Sequence, residues 1–282
     1  LLQAGGGGVA VGHFNISDLA GLKAIFEAAR EAEVSVIVGT SEGEAEFVGY
    51  AQAAALVHSI RKAYGFPIFL NADHTHSLEK IKEAVEAGYD AVLFDGTKLP
   101  FEENVRLTKS AVALAKKLNP EVLVEGELGY IGSSSEVLRE VPQGAALTPA
   151  EMTSAEEAKM FVEETGVDLF APAVGNIHGI VVQEGFRERL NIEQIRKVKK
   201  ALGIPLVLHG ASGLGDDDIR AAIKAGINIV HINTELRVAW RKGMEEGLRE
   251  SPDEVAPYKV YPAAIEAMKN VVRERLRLFG SA

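Results

Sequence analysis

Residues 203–234, GIPLVLHGASGLGDDDIRAAIKAGINIVHINT, hold one complete structural repeat. Gly203 leads into an apolar run at 205–209, a helical stretch begins near Gly215, and Gly226 leads into a second apolar run at 228–233. A glycine after a helical stretch suits a left-handed cap, and the short β-branched run beyond it reads as a strand. The same order recurs upstream in EAGYDAVLFDG, around Gly88, and in ETGVDLFAPAV, around Gly166. Across the chain eight strands are expected, at about 9–15, 35–40, 67–72, 91–95, 122–127, 169–174, 205–209 and 228–233. Helix starts stand between them: Ser17 before DLAGLKAIFEAAR, Ser77 before LEKIKEAVEAG, Ser154 with Glu157 as a capping box, and Asn191 before IEQIRKVKKAL.

The strands read as continuously apolar, the pattern of a parallel sheet covered on both faces. Eight βα units in 282 residues point to an α/β fold of the closed (β/α)8 TIM barrel type rather than an open doubly wound sheet. The last strand is followed by a helix and the count closes at eight. No linker or composition break divides the chain, so one domain over 1–282 is expected. Within it, the glycine- and serine-rich stretch at about 129–147 is expected to be a mobile active-site loop. From about 252 onward one extra helix is expected, with the apolar spacing of a packing or subunit-contact face. The GGGG run at 5–8 reads as a flexible lead-in to the first strand.

The composition is that of a globular protein, with 47% apolar and 25% charged residues. The net charge of -10 is spread through the chain. That excludes nucleic acid as the main partner, because phosphate backbones need clustered Lys and Arg. A negative chain still admits an anionic substrate where a metal makes the site locally positive. There is no cysteine, which removes disulfides, thiolate metal sites and cysteine nucleophiles. No apolar run approaches the ~18 residues that span a bilayer, and no signal peptide is evident, so a cytoplasmic location is expected.

Barrel enzymes gather their chemistry at the carboxyl ends of the strands. Those ends carry Asn15, Ser41, Asp73 with His74, Asp95, Glu127, the loop Gly175 to Gly179 with His178, His209 with Gly210, and Asn233 with Thr234. Asn15 or Asp95 alone is explained by polar residues beginning where strands stop. Three histidines at three strand ends, His74, His178 and His209, with Glu127 beside them, read as metal ligands with an open position for substrate. His13 and His58 fall within an apolar run and a helix and read as core or surface residues; His76 reads as a loop residue supporting the others. HGASG, with Gly210 and Ser212 ahead of a helix, has the make-up of the phosphate loop that barrels build after strands 7 and 8. Ser41 in TSEG reads equally as a second phosphate contact and as a helix cap.

Six segments, NADHTHS, AVLFDGT, VEGELG, APAVGNIHG, LHGASG and INTELR, occur in the order and spacing of the class II, zinc-dependent ketose-bisphosphate aldolases. The chain resembles that family from AVGHFNISDL to RLRLFGSA. The resemblance implies reversible cleavage of fructose 1,6-bisphosphate to dihydroxyacetone phosphate and glyceraldehyde 3-phosphate, through a zinc-stabilised enediolate. Tagatose 1,6-bisphosphate is the alternative substrate within the family. It further implies that His74, His178 and His209 hold Zn2+, that Glu127 is a carboxylate able to engage the metal in an alternative position, and that Asp95 is a supporting or secondary cation ligand. Asp73 would be the acid/base acting on the C4 hydroxyl, and Glu136 the acid/base of the mobile loop. Gly179, Gly210 and Ser212 would bind the phosphate of the dihydroxyacetone phosphate half, with a monovalent cation, Na+ or K+, near it, and Ser41 the other phosphate. A homodimer or homotetramer is implied.

The chain departs from the family at its last strand. Typical members end it in Asn-hydrophobic-Asp-Thr-Asp; here the segment is His231-Ile232-Asn233-Thr234-Glu235. His231, Asn233 and Thr234 remain expected substrate contacts. The loop after His178 carries Ile180, Val181 and Val182 where many members have a lysine, and the SSSE loop is shortened, leaving Glu136 as its best-placed glutamate. Three rival readings stand beside this one. An amidohydrolase-type hydrolase is imitated by His74-x-His76, a Schiff-base aldolase needs a lysine at a strand end, and a non-catalytic sugar-phosphate sensor would keep only the fold.

Overall fold

The computed structural model describes residues 8–281; residues 5–7 of the GGGG run lie outside the described residues. The strands are β1 (Val11–Asn15), β2 (Val36–Ser41), β3 (Ile68–Thr75), β4 (Ala91–Phe94), β5 (Leu123–Leu128), β6 (Val137–Leu138), β7 (Leu169–Pro172), β8 (Ile180–Val181), β9 (Leu206–Leu208) and β10 (Ile227–Ile232). The helices are α1 (Leu19–Glu31), α2 (Glu42–Val48), α3 (Tyr50–Tyr64), α4 (Leu78–Ala87), α5 (Phe101–Leu118), α6 (Ala155–Thr165), α7 (Ile192–Leu202), α8 (Asp216–Ala225), α9 (Thr234–Glu250) and α10 (Pro257–Leu278). Among the described residues, eight parallel strands close a barrel in the order β1-β10-β9-β7-β5-β4-β3-β2. The fold is the (β/α)8 barrel, and each of the eight expected runs overlaps its strand. The two remaining strands, β6 and β8, pair with each other above the barrel.

The caps show why the helices start where they do. Ser77, Ser154 and Asn191 cap α4, α6 and α7 through their side chains, and Ser154 with Glu157 forms the full capping box. The cap expected at Ser17 is displaced by one residue. Asp18 accepts from the Gly21 amide at 2.8 Å, while Ser17 donates to Glu44 instead. A carboxylate facing unpaired helix amides is the stronger cap, which explains the shift. The C-terminal helix begins at Pro257 rather than near 252, because α9 runs to Glu250 and a turn with Pro252 intervenes. Helix α10 packs on α9 and α1, and Phe279 accepts from the Ala10 amide at 3.0 Å, tying the end of the chain to the start of β1.

The interior of the barrel corrects the reading of the strands as uniformly apolar. Val11, Ile37, Leu169, Ala171, Val207 and Ile229, with Phe69 and Leu123 against them, fill the lower barrel. Two residues further along, the same inward faces turn polar: His13, Asn71, Glu125 and His231 are all buried. Two residues beyond those come Asn15, Asp73, Glu127 and Asn233. Successive inward side chains on a strand lie two apart, so each of β1, β3, β5 and β10 runs from apolar to polar up the barrel. An apolar plug thus supports a polar floor, and the floor supports a polar mouth.

Candidate active site

A cavity of about 420 Å³ opens at the carboxyl ends of the strands. Asp73, His74, Asp95, Glu136, His178 and His209 line it, as do Ser41, Gly179, Gly210, Ser212, His231, Asn233 and Thr234. Glu127 alone among the expected residues lies below the lining, buried, with its Oε2 3.4 Å from His74 Nδ1.

Neighbouring residues on a strand point to opposite faces, so Asp73 and His74 share the cavity only because β3 breaks that alternation. The pairing of β3 with β4 shifts register between Ala72 and Thr75, and His74 takes the left-handed backbone at φ 56°. A bulge of this kind re-aims a side chain, and left-handed backbone at a non-glycine residue costs roughly 1–3 kcal/mol. The strain sets two functional side chains side by side.

The three histidines meet at right angles to one another. The His74 ring stands 4.6 Å from that of His178 and 4.8 Å from that of His209, and one ligand atom from each lies within 4.8 Å of the others. Each has its other nitrogen engaged. His74 Nδ1 donates to Asp95 at 3.0 Å, His178 Nδ1 to the Gly132 carbonyl at 2.9 Å, and His209 Nε2 to Glu125 at 2.6 Å. This leaves His74 Nε2, His178 Nε2 and His209 Nδ1 facing inward, and the first and last stand 3.1 Å apart. Two imidazole nitrogens so close repel unless a proton or a cation lies between them. Nitrogens on a tetrahedral zinc stand about 3.3 Å apart, so the donor set fits a metal ion, and the outer hydrogen bonds fix the tautomers as metal-bound histidines require.

The electrostatics favour a cation at the same point. Burial alone would lower the His74 pKa, but the charges of Asp73 and Glu127 and the Asp95 hydrogen bond raise it well above the ordinary imidazole value. Against the same burial penalty, the charge and hydrogen bond of Glu125 raise His209. Protons held there are those that a divalent ion displaces. His178, buried and beside two other imidazoles, is lowered to about 3. Burial pushes Glu127 up to about 7. Asp73 is held well below the carboxylate range: burial opposes its charge, but His74 and the nearby His231, whose Nδ1 is 3.5 Å from Oδ1, outweigh it. Asn15 donates to its Oδ2 at 3.0 Å.

Two loops bring His178 into position. The His178 amide donates to Ile131 O, and those of Ile180 and Val182 donate to Glu136 O and Leu138 O, all at 2.8 Å. The β6–β8 pair therefore zips the expected mobile loop onto the loop of His178. Gly210, at φ 62°, lets the backbone after β9 approach that loop; a Cβ there would stand 2.3 Å from Ile177 O. Gly210→Ala is expected to destabilise the protein by roughly 2–4 kcal/mol, from left-handed strain plus overpacking against backbone. Urea unfolding measures it, and an unchanged midpoint would contradict the close approach.

Sequence reading missed three residues here and underread a fourth. Glu125 supports His209; it lies two before Glu127 and hence on the same face of β5, which was the available signal. Glu44, buried, forms a capping box with Ser41. Arg237 lines the cavity one turn into α9. His13 is a core residue as expected, but it stacks on His231 at 3.5 Å, its partner in the β1–β10 register. Gly39 leaves the space for its ring, since a Cβ would stand 2.2 Å from it. His76 faces Glu42 at 3.0 Å, outside the three-histidine cluster, so the His74-x-His76 pair does not form the site an amidohydrolase needs. Among the described residues no lysine lines the cavity, which removes the Schiff-base route.

The chain matches the family described as "Fructose-bisphosphate aldolase class-II" over residues 1–282. It is 34% identical over 285 residues to the fructose-bisphosphate aldolase of Staphylococcus epidermidis strain RP62A, covering 100% of this chain and 96% of the relative. It is 35% identical over 279 residues to that of Geobacillus stearothermophilus, covering 98% and 93%. The crystal structure of the YdjI aldolase from Escherichia coli K12 superposes with a TM-score of 0.83 at 32% identity, covering 99% of this chain and 94% of that one.

Proposed function

The chain belongs to the class II fructose-bisphosphate aldolase family, a family of metal-dependent lyases, and from that premise we propose that it cleaves fructose 1,6-bisphosphate to dihydroxyacetone phosphate and glyceraldehyde 3-phosphate. The observation that carries this reading is a buried carboxylate beside the imidazole cluster: Asp73 Oδ1 lies 3.8 Å from His74 Nε2. The similar relatives carry the fructose name, so the C4 epimer is not favoured over it.

In this reading His74, His178 and His209 hold zinc, with Glu127 available beneath them. When bound, the ion supplies Lewis acidity toward the C2 carbonyl, which lowers the cost of negative charge at C3. Asp73 takes the proton of the C4 hydroxyl, and the C3–C4 bond breaks as the C4 oxygen becomes an aldehyde carbonyl. The electron pair stays on C3, conjugated with C2, until Glu136 delivers a proton there. Asn15 orients Asp73 through Oδ2, and His231 Nδ1 stands 3.5 Å from the other oxygen, Oδ1. Gly179, Gly210, Ser212 and Thr234 surround the position of the C1 phosphate, and Ser212 sits where the Asn233 and Glu235 amides converge on its Oγ at 3.3 and 3.4 Å. Arg237 and Ser41 stand at the other end. A coupled assay for both trioses tests the reading: equal yields are expected, and no product from zinc-loaded protein would contradict it.

Glu125→Gln is expected to weaken zinc binding by about 10- to 100-fold, because the carboxylate that fixes the His209 tautomer is lost. Competition with a chromogenic chelator measures this, and an unaltered affinity would place His209 outside the metal set. The chain is further read as a cytoplasmic homodimer or homotetramer. Among the described residues no helix is long and apolar enough to cross a membrane. Trp240, Leu248, Val255 and Tyr258 stand exposed along and between α9 and α10, the faces that a second subunit would cover.

A further inference from the structure

The end of the cavity read above as the second phosphate site already holds an anion. Glu44, only 6% exposed, accepts through Oε1 from Arg237 Nη2 at 2.6 Å and from Ser17 at 3.3 Å. Through Oε2 it accepts from the Ser41 amide at 2.8 Å and from Asn15 at 3.0 Å. The Ser41 amide and Arg237, the donors at this end, are thus turned to a carboxylate of the chain itself, while the Ser41 hydroxyl accepts from the Glu44 amide at 3.4 Å. The remaining Arg237 contact goes to Ser135 O at 3.1 Å. Among the described residues no other lysine or arginine lines the cavity, whereas Glu42, Asp73, Asp95 and Glu136 all do.

A phosphate dianion at this end has to share the charge of Arg237 with Glu44 or draw it away. Glu44 cannot follow into water, because the capping box and Asn15 hold it in place, and a buried carboxylate stripped of its cation is costly. A hydroxyl-bearing, uncharged terminus meets no such opposition and can hydrogen-bond to Arg237 and Ser41 where they stand.

We propose that Glu44 makes the far end of the cavity electrically neutral, so that the enzyme also cleaves ketose 1-phosphates whose other end is an unphosphorylated polyol. This specificity rests on the aldolase reading above. The reaction is the same: the C4 hydroxyl proton passes to Asp73, the C3–C4 bond breaks, C3 is protonated, and an uncharged hydroxyaldehyde leaves in place of the triose phosphate.

The test compares D-fructose 1-phosphate with fructose 1,6-bisphosphate on the zinc-loaded full chain, following dihydroxyacetone phosphate, which both release. The kcat/KM values of the natural chain are expected within about tenfold of each other, since no freed cation rewards the second phosphate. Glu44→Gln keeps the shape, turns an amide toward Arg237 and frees the guanidinium. It is expected to shift the ratio toward the bisphosphate by about tenfold or more, and the Glu44→Gln, Arg237→Ala double variant to lose that gain. Ratios cancel any general effect transmitted through Asn15 to Asp73. A bisphosphate preference above about a hundredfold in the natural chain overturns the proposal and needs no variant to fold. So does a ratio that a folded Glu44→Gln leaves unchanged. Failure of the aldolase reading looks different: neither sugar releases dihydroxyacetone phosphate.

Discussion

Asp73→Ala, loaded with zinc, is expected to bind the metal as the natural chain does and to cleave fructose 1,6-bisphosphate about 10³-fold more slowly. The size of the effect follows from what Asp73 supplies. Its carboxylate is buried, yet His74 and His231 keep it charged, so it meets the C4 hydroxyl as an ion free of its water shell. Asn15 at 3.0 Å fixes one oxygen. The other, Oδ1, is buried without a hydrogen-bond partner and 3.8 Å from His74 Nε2; it is the oxygen left to take a proton. Alanine removes the base and leaves all three imidazoles in place. Loss of zinc together with activity would make Asp73 a ligand rather than a base. Cleavage that survives would put the base elsewhere in the cavity.

His209→Ala is expected to remove both zinc and turnover. His209 Nδ1 is 3.1 Å from His74 Nε2, and its Nε2 holds Glu125 at 2.6 Å. Truncation deletes a ligand, opens a space in the polar floor and leaves Glu125, only 2% exposed, without its partner. Breaking a buried pair this way costs about 3–5 kcal/mol. Urea unfolding of the metal-free proteins is therefore expected to show a stability loss of that order, apart from the metal effect. Elemental analysis after gel filtration is expected to find zinc in the natural chain and none in the variant. Zinc retained at full occupancy would mean that Glu127, His231 or another donor completes the set without it.

The fold is legible in the chain because its signal is repetitive and local. A glycine-capped helix and a short apolar run recur until eight strands are counted, and each capping residue sits within a residue of its helix. The three histidines are legible for the same reason, since each ends or directly follows a strand and a parallel barrel brings all such ends to one mouth. What escaped depends on facing direction. Glu125 lies inside a run that reads as apolar, and only its period-two relation to Glu127 shows that both point inward. His74 lines the cavity with Asp73 because of a bulge and a left-handed residue, and no residue type announces that at a histidine. Glu44 and Arg237 sit 193 positions apart in the chain and meet only when α2 and α9 are set around the same rim. A one-residue shift, from Ser17 to Asp18, decided the cap of α1 because two good capping residues stood side by side and the stronger acceptor won.

The His13–His231 stack shows how a histidine at position 231 is accommodated. The His231 ring takes His13 as its flat neighbour on β1, and the His13 ring in turn occupies the space that Gly39 leaves on β2. The three residues form one packing unit across adjacent strands, so substitution at His231 alone leaves His13 without its stacking partner.

The most direct test of the central claim is triose phosphate release from fructose 1,6-bisphosphate, measured before chelation, after chelation and after zinc is added back. The account predicts activity that disappears with the chelator and returns with zinc in the natural chain, and does not return with zinc in His209→Ala. Activity that persists in protein shown by elemental analysis to be metal-free would contradict it.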